Sequence, residues 1–120
     1  MYDFPRQEKL KKRNEIQEVF KRRKAVSVQS GEQPGAKLFF HKNGLSYNRI
    51  AFTFSRKFGT AAERNRAKRL GREAYRHLRS EIKTGYDLVL LIYPGNDNFS
   101  FCMTRFENLL GRAGLFNRKE

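Results

Sequence analysis

A chain of 120 residues is long enough for one domain with a modest core and too short for two. Its formal net charge of +14 predicts a polyanionic partner, either nucleic acid or an anionic membrane surface, while eleven Phe and five Tyr argue against a disordered chain. A single cysteine excludes an intrachain disulfide, two separated histidines give little support for a metal site, and no apolar run approaches the roughly 18 residues of a membrane span.

The positive charge is concentrated in two zones. Residues 1–24 carry nine Lys or Arg against four carboxylates, and residues 55–76 carry eight against two. We expect a single domain over residues 1–120. At its start, high charge without apolar periodicity favours a disordered basic arm over residues 1–13. The same residues lack the apolar core of a signal peptide, so we expect a cytoplasmic protein.

The segment NEIQEVFKRRK predicts a first helix that starts at a capping box formed by Asn14 and Gln17. Ile16, Val19 and Phe20 recur at helical spacing, so they share one apolar face. Simple core packing is the favoured role for Val19.

Three strands are predicted after this helix. AVSVQS favours a short strand and GEQPG a turn, and the turn residues NGLSYN join two further strands, AKLFFHK and NRIAFTFS. In the last of these strands, bulky residues alternate with Ala51, Thr53 and Ser55. The bulky face is predicted to lie in the core. On this pattern alone, the small face is equally suited to line a groove or to face solvent.

The second half of the chain predicts a helix, a buried strand and a last helix. Thr60 and Glu63 form a T-x-x-E capping box that starts a long helix, and Gly85 is expected to end it. The continuous apolar run DLVLLIYP predicts a central strand, and TRFENLLGRAGLF predicts the last helix. The order α-β-β-β-α-β-α indicates an α+β sandwich in which helices pack against one small sheet.

The long helix separates into an apolar stripe and a basic arc at 100° per residue. Gly71 lies in the stripe, where it is expected to let the helix approach the sheet closely, and Tyr75 is expected at the surface. The arc spans roughly 140°. It contains Arg64, Asn65, Lys68, Arg69, Arg72, Arg76 and Arg79.

A run of basic residues is more often a solvated helix face than a binding site. A solvated face, however, interleaves its charges through i,i+4 pairs, whereas Arg64, Lys68 and Arg72 repeat one charge at that spacing. An external anion would relieve this repulsion, and phosphate suits planar guanidinium groups. The helix therefore predicts recognition of nucleic acid by its backbone and shape rather than by its bases.

The segment RNRAKRLGRE, residues 64–73, resembles the pattern RNRxKRxxRE of the bacterial ribonuclease P protein subunit family. The resemblance covers nearly the whole chain in the same order. KLKKRNEIQEVF resembles the first helix of the family, FTFSRKFGTAAERNR its strand-to-helix approach, YDLVLLI its following strand and FENLLGRAGL its last helix. This ordered set is far more specific than the RNR segment alone.

The resemblance implies an αβββαβα two-layer sandwich whose small mixed sheet contains a left-handed βαβ crossover, against the usual right-handed rule. It also implies a non-catalytic partner of a large RNA that removes the 5′ leader from precursor tRNA. The chemistry then belongs to that RNA, and Mg²⁺ is held by the RNA and its substrate rather than by a protein site. The implied partners are the catalytic RNA and precursor tRNA, with neither a membrane nor another protein required.

The resemblance assigns residues to two surfaces. The RNR face binds the catalytic RNA, and a cleft between the first helix and the sheet binds the leader, where Phe20 and Phe39 are candidates for stacking on bases. Ile16 stands where the family usually has an aromatic residue, so stacking is not expected there. The catalytic-RNA set is Arg64, Asn65, Arg66, Lys68, Arg69 and Arg72. The leader set is Ile16, Phe20, Phe39, Thr53, Ser55, Arg56 and Lys57.

Other classes of function stay open on the residues alone. A ribosomal or assembly protein that coats rRNA through a basic helix would share the charge pattern, and only the ordered motifs argue against it. A self-sufficient nuclease needs converging carboxylates or histidines, but Asp3, Asp87 and Asp97 fall in unrelated segments. A membrane-surface role has less support, because the basic helix has no bulky residues to insert.

Overall fold

In the part of the chain that the structure describes, three helices and four strands form the architecture, and their order is the one that the sequence predicts. The computed structural model describes residues 6–22, 24–30, 33–56, 58–94 and 98–117. The elements are α1 (Arg13–Arg22), β1 (Lys24–Ser30), β2 (Gln33–Lys42), β3 (Arg49–Phe54), α2 (Ala61–Leu78), β4 (Tyr86–Ile92) and α3 (Phe99–Ala113). Short 3₁₀ turns occupy Arg6–Glu8 and Arg79–Glu81.

The four strands form one mixed sheet in the order β1-β2-β4-β3. β4 lies inside the sheet, antiparallel to β2 and parallel to β3, and most of its residues are buried. This confirms the central strand predicted from its continuous apolar run. Because β3 and β4 are parallel neighbours, α2 connects them as a crossover, whose left-handed sense stays a prediction from the resemblance.

The two faces of the sheet are covered to different extents. α2 and α3 pack on one face over the larger core, which includes Leu38, Leu88 and Phe106. α1 packs on the other face, where Val19 is fully buried in a smaller cluster with Val89. Core packing of Val19 is therefore confirmed. The sandwich of sheet and helices is also confirmed, and α1 adds a partial layer behind it.

The start of α2 and its close packing follow from local sequence as predicted. The Thr60 hydroxyl accepts a hydrogen bond from the Glu63 backbone N–H at 3.1 Å, and the Glu63 carboxylate accepts one from the Thr60 N–H at 3.4 Å. A Cβ atom at Gly71 would lie 2.6 Å from Cε1 of Phe52 on β3. Only glycine therefore fits between the helix and the sheet without a shift of the Phe52 ring.

Two helix ends differ from prediction, one because of burial against the core and the other because of a local cap. α2 ends at Leu78 rather than near Gly85, because the chain turns inward to bury Ile82 in the core at 1 % exposure. α3 starts at Phe99 rather than at Thr104, since the Asn98 side chain caps it by accepting a hydrogen bond from the Phe101 N–H at 2.8 Å.

The start of α1 and the predicted turn after β1 also differ. The Ile16 N–H donates to the Lys12 carbonyl at 3.0 Å, so Lys12 holds the capping position and the predicted capping box at Asn14 is wrong. Within the predicted turn GEQPG, Gln33, Pro34 and Gly35 belong to β2.

Glu8 and Leu10, which fall within the predicted basic arm over residues 1–13, pack against the rest of the domain. Glu8 is only 2 % exposed, and its carboxylate accepts hydrogen bonds from the Tyr75 hydroxyl at 2.9 Å and from Arg79 Nε at 2.8 Å. Tyr75 is therefore buried rather than at the surface as predicted. The Leu10 N–H donates to the Ile50 carbonyl at 3.0 Å, so this segment covers part of the outer edge of β3. Residues 1–5 lie outside the described residues.

Candidate RNA-binding surfaces

The first candidate surface is a cleft between α1 and the part of the sheet that α1 leaves uncovered. α1 lies over Ala51 and Val89. The next residues on that face, Lys37, Leu91 and Thr53, are paired side by side across β2, β4 and β3 and are all partly exposed. This row forms the cleft floor, and α1 forms one wall.

Aromatic rings stand where α1 meets the floor. The ring centroids of Phe20 on α1 and Phe39 on β2 lie 4.8 Å apart in an edge-to-face arrangement. Both rings are partly exposed, and Ile16 packs beside them as a half-buried aliphatic residue. The structure thus brings these three predicted residues together, with two rings that are accessible for stacking on a base.

Thr53 introduces a polar group into the floor. Its Oγ1 atom is buried and has no hydrogen-bond partner within the described part of the chain. A buried hydroxyl without a partner costs about 1–3 kcal/mol. A ligand group could supply this hydrogen bond only after a rotation of the Thr53 side chain exposed the hydroxyl.

The remaining leader residues lie where β3 ends. Ser55 is half-buried and its N–H donates to the Ile92 carbonyl at 3.0 Å, while Arg56 is exposed beside it. Lys57, which the resemblance assigns to the same set, lies outside the described residues. Ser55 and Arg56 therefore place a polar and a cationic group at one mouth of the cleft.

Sequence reasoning missed Lys37 and Tyr93 in this cleft. Lys37 lies two residues before Phe39 on β2, and its Nζ atom is 6.0 Å from the centroid of the Tyr93 ring. The period of two along a strand could have placed Lys37 on the same face as Phe39. The position of Tyr93, in contrast, depends on the pairing of β2 with β4.

The second candidate surface is the basic face of α2, on the other side of the sheet. Arg64, Asn65 and Arg69 are exposed, and Lys68 and Arg72 are half-buried along the same arc. Arg66 is also exposed, but it lies about 60° beyond Arg69 around the helix. The structure therefore groups five of the six predicted residues and sets Arg66 to one side.

Charge compensation differs between the two ends of this face. Arg76 pairs with Glu73 at 3.2 Å, and Arg79 pairs with Glu8. No described carboxylate forms an ion pair with Arg64, Lys68 or Arg69. Arg64, Lys68 and Arg69 thus keep their positive charge for an external anion, and the helix N-terminus adds a partial positive charge at that end.

An ion-pair network holds α1 in the place that shapes the cleft. Arg49 on β3 donates to Asp87 at 2.7 and 2.8 Å and to Glu15 on α1 at 2.6 Å. The hydrogen bonds to Asp87, and then those to Glu15, raise the pKa of Arg49 above its ordinary value. Asn43 also donates to Asp87, at 2.9 Å. Asp87 is therefore a paired structural carboxylate, which disfavours a nuclease centre built on it.

Two further observations limit the kinds of site available. Among the described residues, no group of three or more His, Cys, Asp or Glu side chains is placed to hold a metal ion. None of the described helices is long and apolar enough to cross a membrane.

Together, the fold and these surfaces define a small basic α+β protein with one cationic helix face and one aromatic cleft. The family model of ribonuclease P matches residues 4–114 of the chain. The chain therefore belongs to the ribonuclease P protein family, which also supports tRNA processing as its setting.

Individual relatives agree with this assignment. The ribonuclease P protein component of Clostridium botulinum strain Loch Maree is 32 % identical over 115 residues, which cover 93 % of this chain and 99 % of the relative. The solved ribonuclease P protein from Thermotoga maritima is 31 % identical, with a TM-score of 0.70 over 88 % of this chain and 96 % of that one. The Staphylococcus aureus protein, at 21 % identity and a TM-score of 0.77 over 99 % of both chains, supports the fold.

Proposed function

We propose that this chain is the protein subunit of a cytoplasmic ribonuclease P ribonucleoprotein. It binds the catalytic RNA through the basic face of α2 and holds the 5′ leader of precursor tRNA in the cleft. The RNA carries out the hydrolysis that removes the leader, and the protein contributes no catalytic residue. Family membership over residues 4–114 favours this function over the alternative of a protein that coats rRNA.

The observation that carries the proposal is the different chemistry of two separate surfaces on one small domain. The α2 face presents cations without exposed rings, which suits the phosphates of a folded RNA. The cleft presents Phe20 and Phe39 beside a floor that contains Thr53. Such a cleft suits a single strand, because stacking on a ring tolerates any base.

Mg²⁺ is assigned to the RNA and its substrate in this proposal. The described residues offer no cluster of carboxylates or histidines that fits a dedicated metal site. What the protein contributes is cationic charge close to the RNA, which lowers the repulsion between catalytic RNA and precursor.

Cleavage of precursor tRNA at low, near-physiological Mg²⁺ tests the proposal directly. A bacterial ribonuclease P RNA would be assayed with this protein, without it, and with the protein alone as the control. Cleavage that is stimulated only when RNA and protein are both present is the expected result. Cleavage by the protein alone would support the alternative of a self-sufficient nuclease. Tight RNA binding without stimulation of cleavage would favour the alternative of a protein that coats rRNA.

A further inference from the structure

A separate cavity of about 400 Å³ lies where α1 ends and β1 begins, next to the ends of β2 and α3. Its base contains Phe40, which is 8 % exposed, and Tyr86, whose ring centroid lies 6.4 Å from that of Phe40. Neither the catalytic-RNA set nor the leader set includes a residue of this cavity. Its function is therefore unassigned.

The rim of the cavity is cationic. Lys24 and Lys42 are exposed there, and Arg22 extends from the last turn of α1 with a side chain that is 60 % exposed. Among the described residues that line the cavity, none is a carboxylate. Glu18 pairs with Arg22 at 2.9 Å from outside the lining, so the two lysines carry most of the available charge. An aromatic base with a cationic rim suits a nucleotide, whose ring is flat and whose phosphate is negative.

The cavity begins beside the aromatic end of the cleft. In the β1–β2 ladder, Ala25 pairs with Phe39 and Lys24 pairs with Phe40. Successive side chains on a strand point to opposite faces of the sheet. Ala25 therefore lies on the face that carries the cleft, and the neighbouring Lys24 lies on the face that carries the cavity. β1 is an edge strand, and a single strand of RNA can pass around it without crossing another part of the sheet.

The direction of the leader follows from where the catalytic RNA would bind. Arg56 marks the mouth of the cleft nearest the start of α2, which is the end that carries uncompensated cations. The cleavage site must lie near the catalytic RNA, and thus near this mouth. Nucleotides farther from the cleavage site then leave the cleft past Phe20 and Phe39, toward Lys24.

We propose that this cavity, termed the distal pocket (Arg22, Lys24, Phe40, Lys42 and Tyr86), binds a leader nucleotide upstream of those held in the cleft. Its base lies against Phe40 and Tyr86, and Lys24 and Lys42 contact the flanking phosphates. This inference rests on the proposed function and deepens it. It predicts that the protein senses leader length beyond the stretch that fills the cleft.

The test compares precursor tRNAs whose leaders increase in length, bound to the ribonucleoprotein reconstituted with a bacterial ribonuclease P RNA. With the unmodified protein, the affinity for precursor tRNA is expected to rise once as the leader fills the cleft. It is expected to rise a second time when the leader becomes long enough to pass Phe39. Lys24→Ala combined with Lys42→Ala should remove this second rise. The double variant should therefore bind long-leader precursors about three- to tenfold more weakly and bind short-leader precursors as the unmodified protein does. The matched control, Lys11→Ala combined with Lys83→Ala, removes equal charge at exposed positions outside the pocket and should keep the rise.

Other outcomes separate the pocket from the proposed function. Phe20→Ala should weaken binding at every leader length that reaches the cleft, and no effect of that change would overturn the proposed function itself. If Phe20→Ala weakens binding but the double lysine variant behaves like the Lys11 and Lys83 control at all leader lengths, the proposal that the distal pocket binds a leader nucleotide is wrong. Equal weakening of short and long leaders, or weakened binding of the catalytic RNA alone, would also overturn it.

A second measurement does not depend on the variants. Single-stranded RNA oligonucleotides of increasing length would be added to the isotopically labelled protein, and backbone amide NMR signals would be followed. The signals of Gly114 and Leu115, which line the cavity, are expected to shift only with the longer oligonucleotides. Shifts confined to the cleft at all lengths would count against the pocket.

Discussion

At the residue scale, Gly71 and Gly111 show how one residue type has two different consequences in a helix. Both lie inside a helix, α2 and α3 respectively. A Cβ at Gly71 would meet Cε1 of Phe52 at 2.6 Å, whereas a Cβ at Gly111 would meet nothing within 4 Å. Only the first glycine is required by packing.

This contrast gives a matched pair of variants. Gly111→Ala should raise the free energy of unfolding by about 0.5–1 kcal/mol, because alanine favours the helix over glycine. Gly71→Ala gains the same propensity but overpacks the contact with Phe52, which costs about 1–3 kcal/mol, so it should be destabilising by about 1–2 kcal/mol. Urea unfolding followed by circular dichroism measures both. Equal stabilisation by the two changes would mean that the Phe52 ring moves aside freely.

At the element scale, α2 is asymmetric along its length as well as around it. Arg76 in its C-terminal half pairs with Glu73, and Arg79, directly after its last residue, pairs with Glu8. Among the described residues, no carboxylate forms an ion pair with Arg64, Lys68 or Arg69 nearer its start. The capping box at Thr60 and Glu63 fixes the start of the helix, so Arg64, Lys68 and Arg69 stand within its first three turns. The helix is therefore best suited to hold phosphate near its N-terminus.

Arg64→Ala combined with Arg69→Ala should weaken binding to the catalytic RNA by about tenfold or more and lower its salt slope by about 1.5 units. Arg76→Ala is the comparison, and its effect should be smaller, because Arg76 is already shared with Glu73. Phe20→Ala should leave catalytic-RNA binding unchanged and weaken capture of precursor tRNA. Filter binding with each RNA measures all three, and if both kinds of change weaken both activities equally, the two-surface proposal is wrong.

At the scale of the whole molecule, the sheet separates the two candidate surfaces. The basic face of α2 lies on the side of the larger core, and the cleft lies on the side of α1. A protein of this size can then contact a catalytic RNA and a leader at once, without competition for the same residues. The two contacts should also differ in their physical character.

Salt dependence tests this difference. If each of the five cations in the catalytic-RNA set neutralises one phosphate, the logarithm of the affinity for that RNA should fall with a slope of about −4 against the logarithm of salt concentration. The preference for precursor over mature tRNA, which depends partly on stacking, should change less steeply. Titrations at several salt concentrations give both slopes. A catalytic-RNA affinity that is insensitive to salt would contradict phosphate neutralisation by α2.

The sequence by itself determined the features that depend on residues close together in the chain. The capping box of α2, the close approach at Gly71, the basic arc and the buried strand β4 each follow from a spacing of two to four residues or from one apolar run. The capping box, the basic arc and the buried strand were confirmed because hydrogen bonds and side-chain directions within one element already decide them. The close approach at Gly71 was also confirmed, but it needs Phe52 on β3 as well as the helix. The family resemblance rests on the same local patterns.

Only the tertiary structure decided the features that join distant segments. Glu8 and Tyr75 are 67 residues apart in the chain, so neither the packing of Glu8 nor the burial of Tyr75 has a local signal. The cleft needs the register of β2, β4 and β3 together with the position of α1, which Arg49 fixes through Glu15 and Asp87. Pairing across strands and burial against other elements set these contacts, and their free energies arise only when the whole chain has folded.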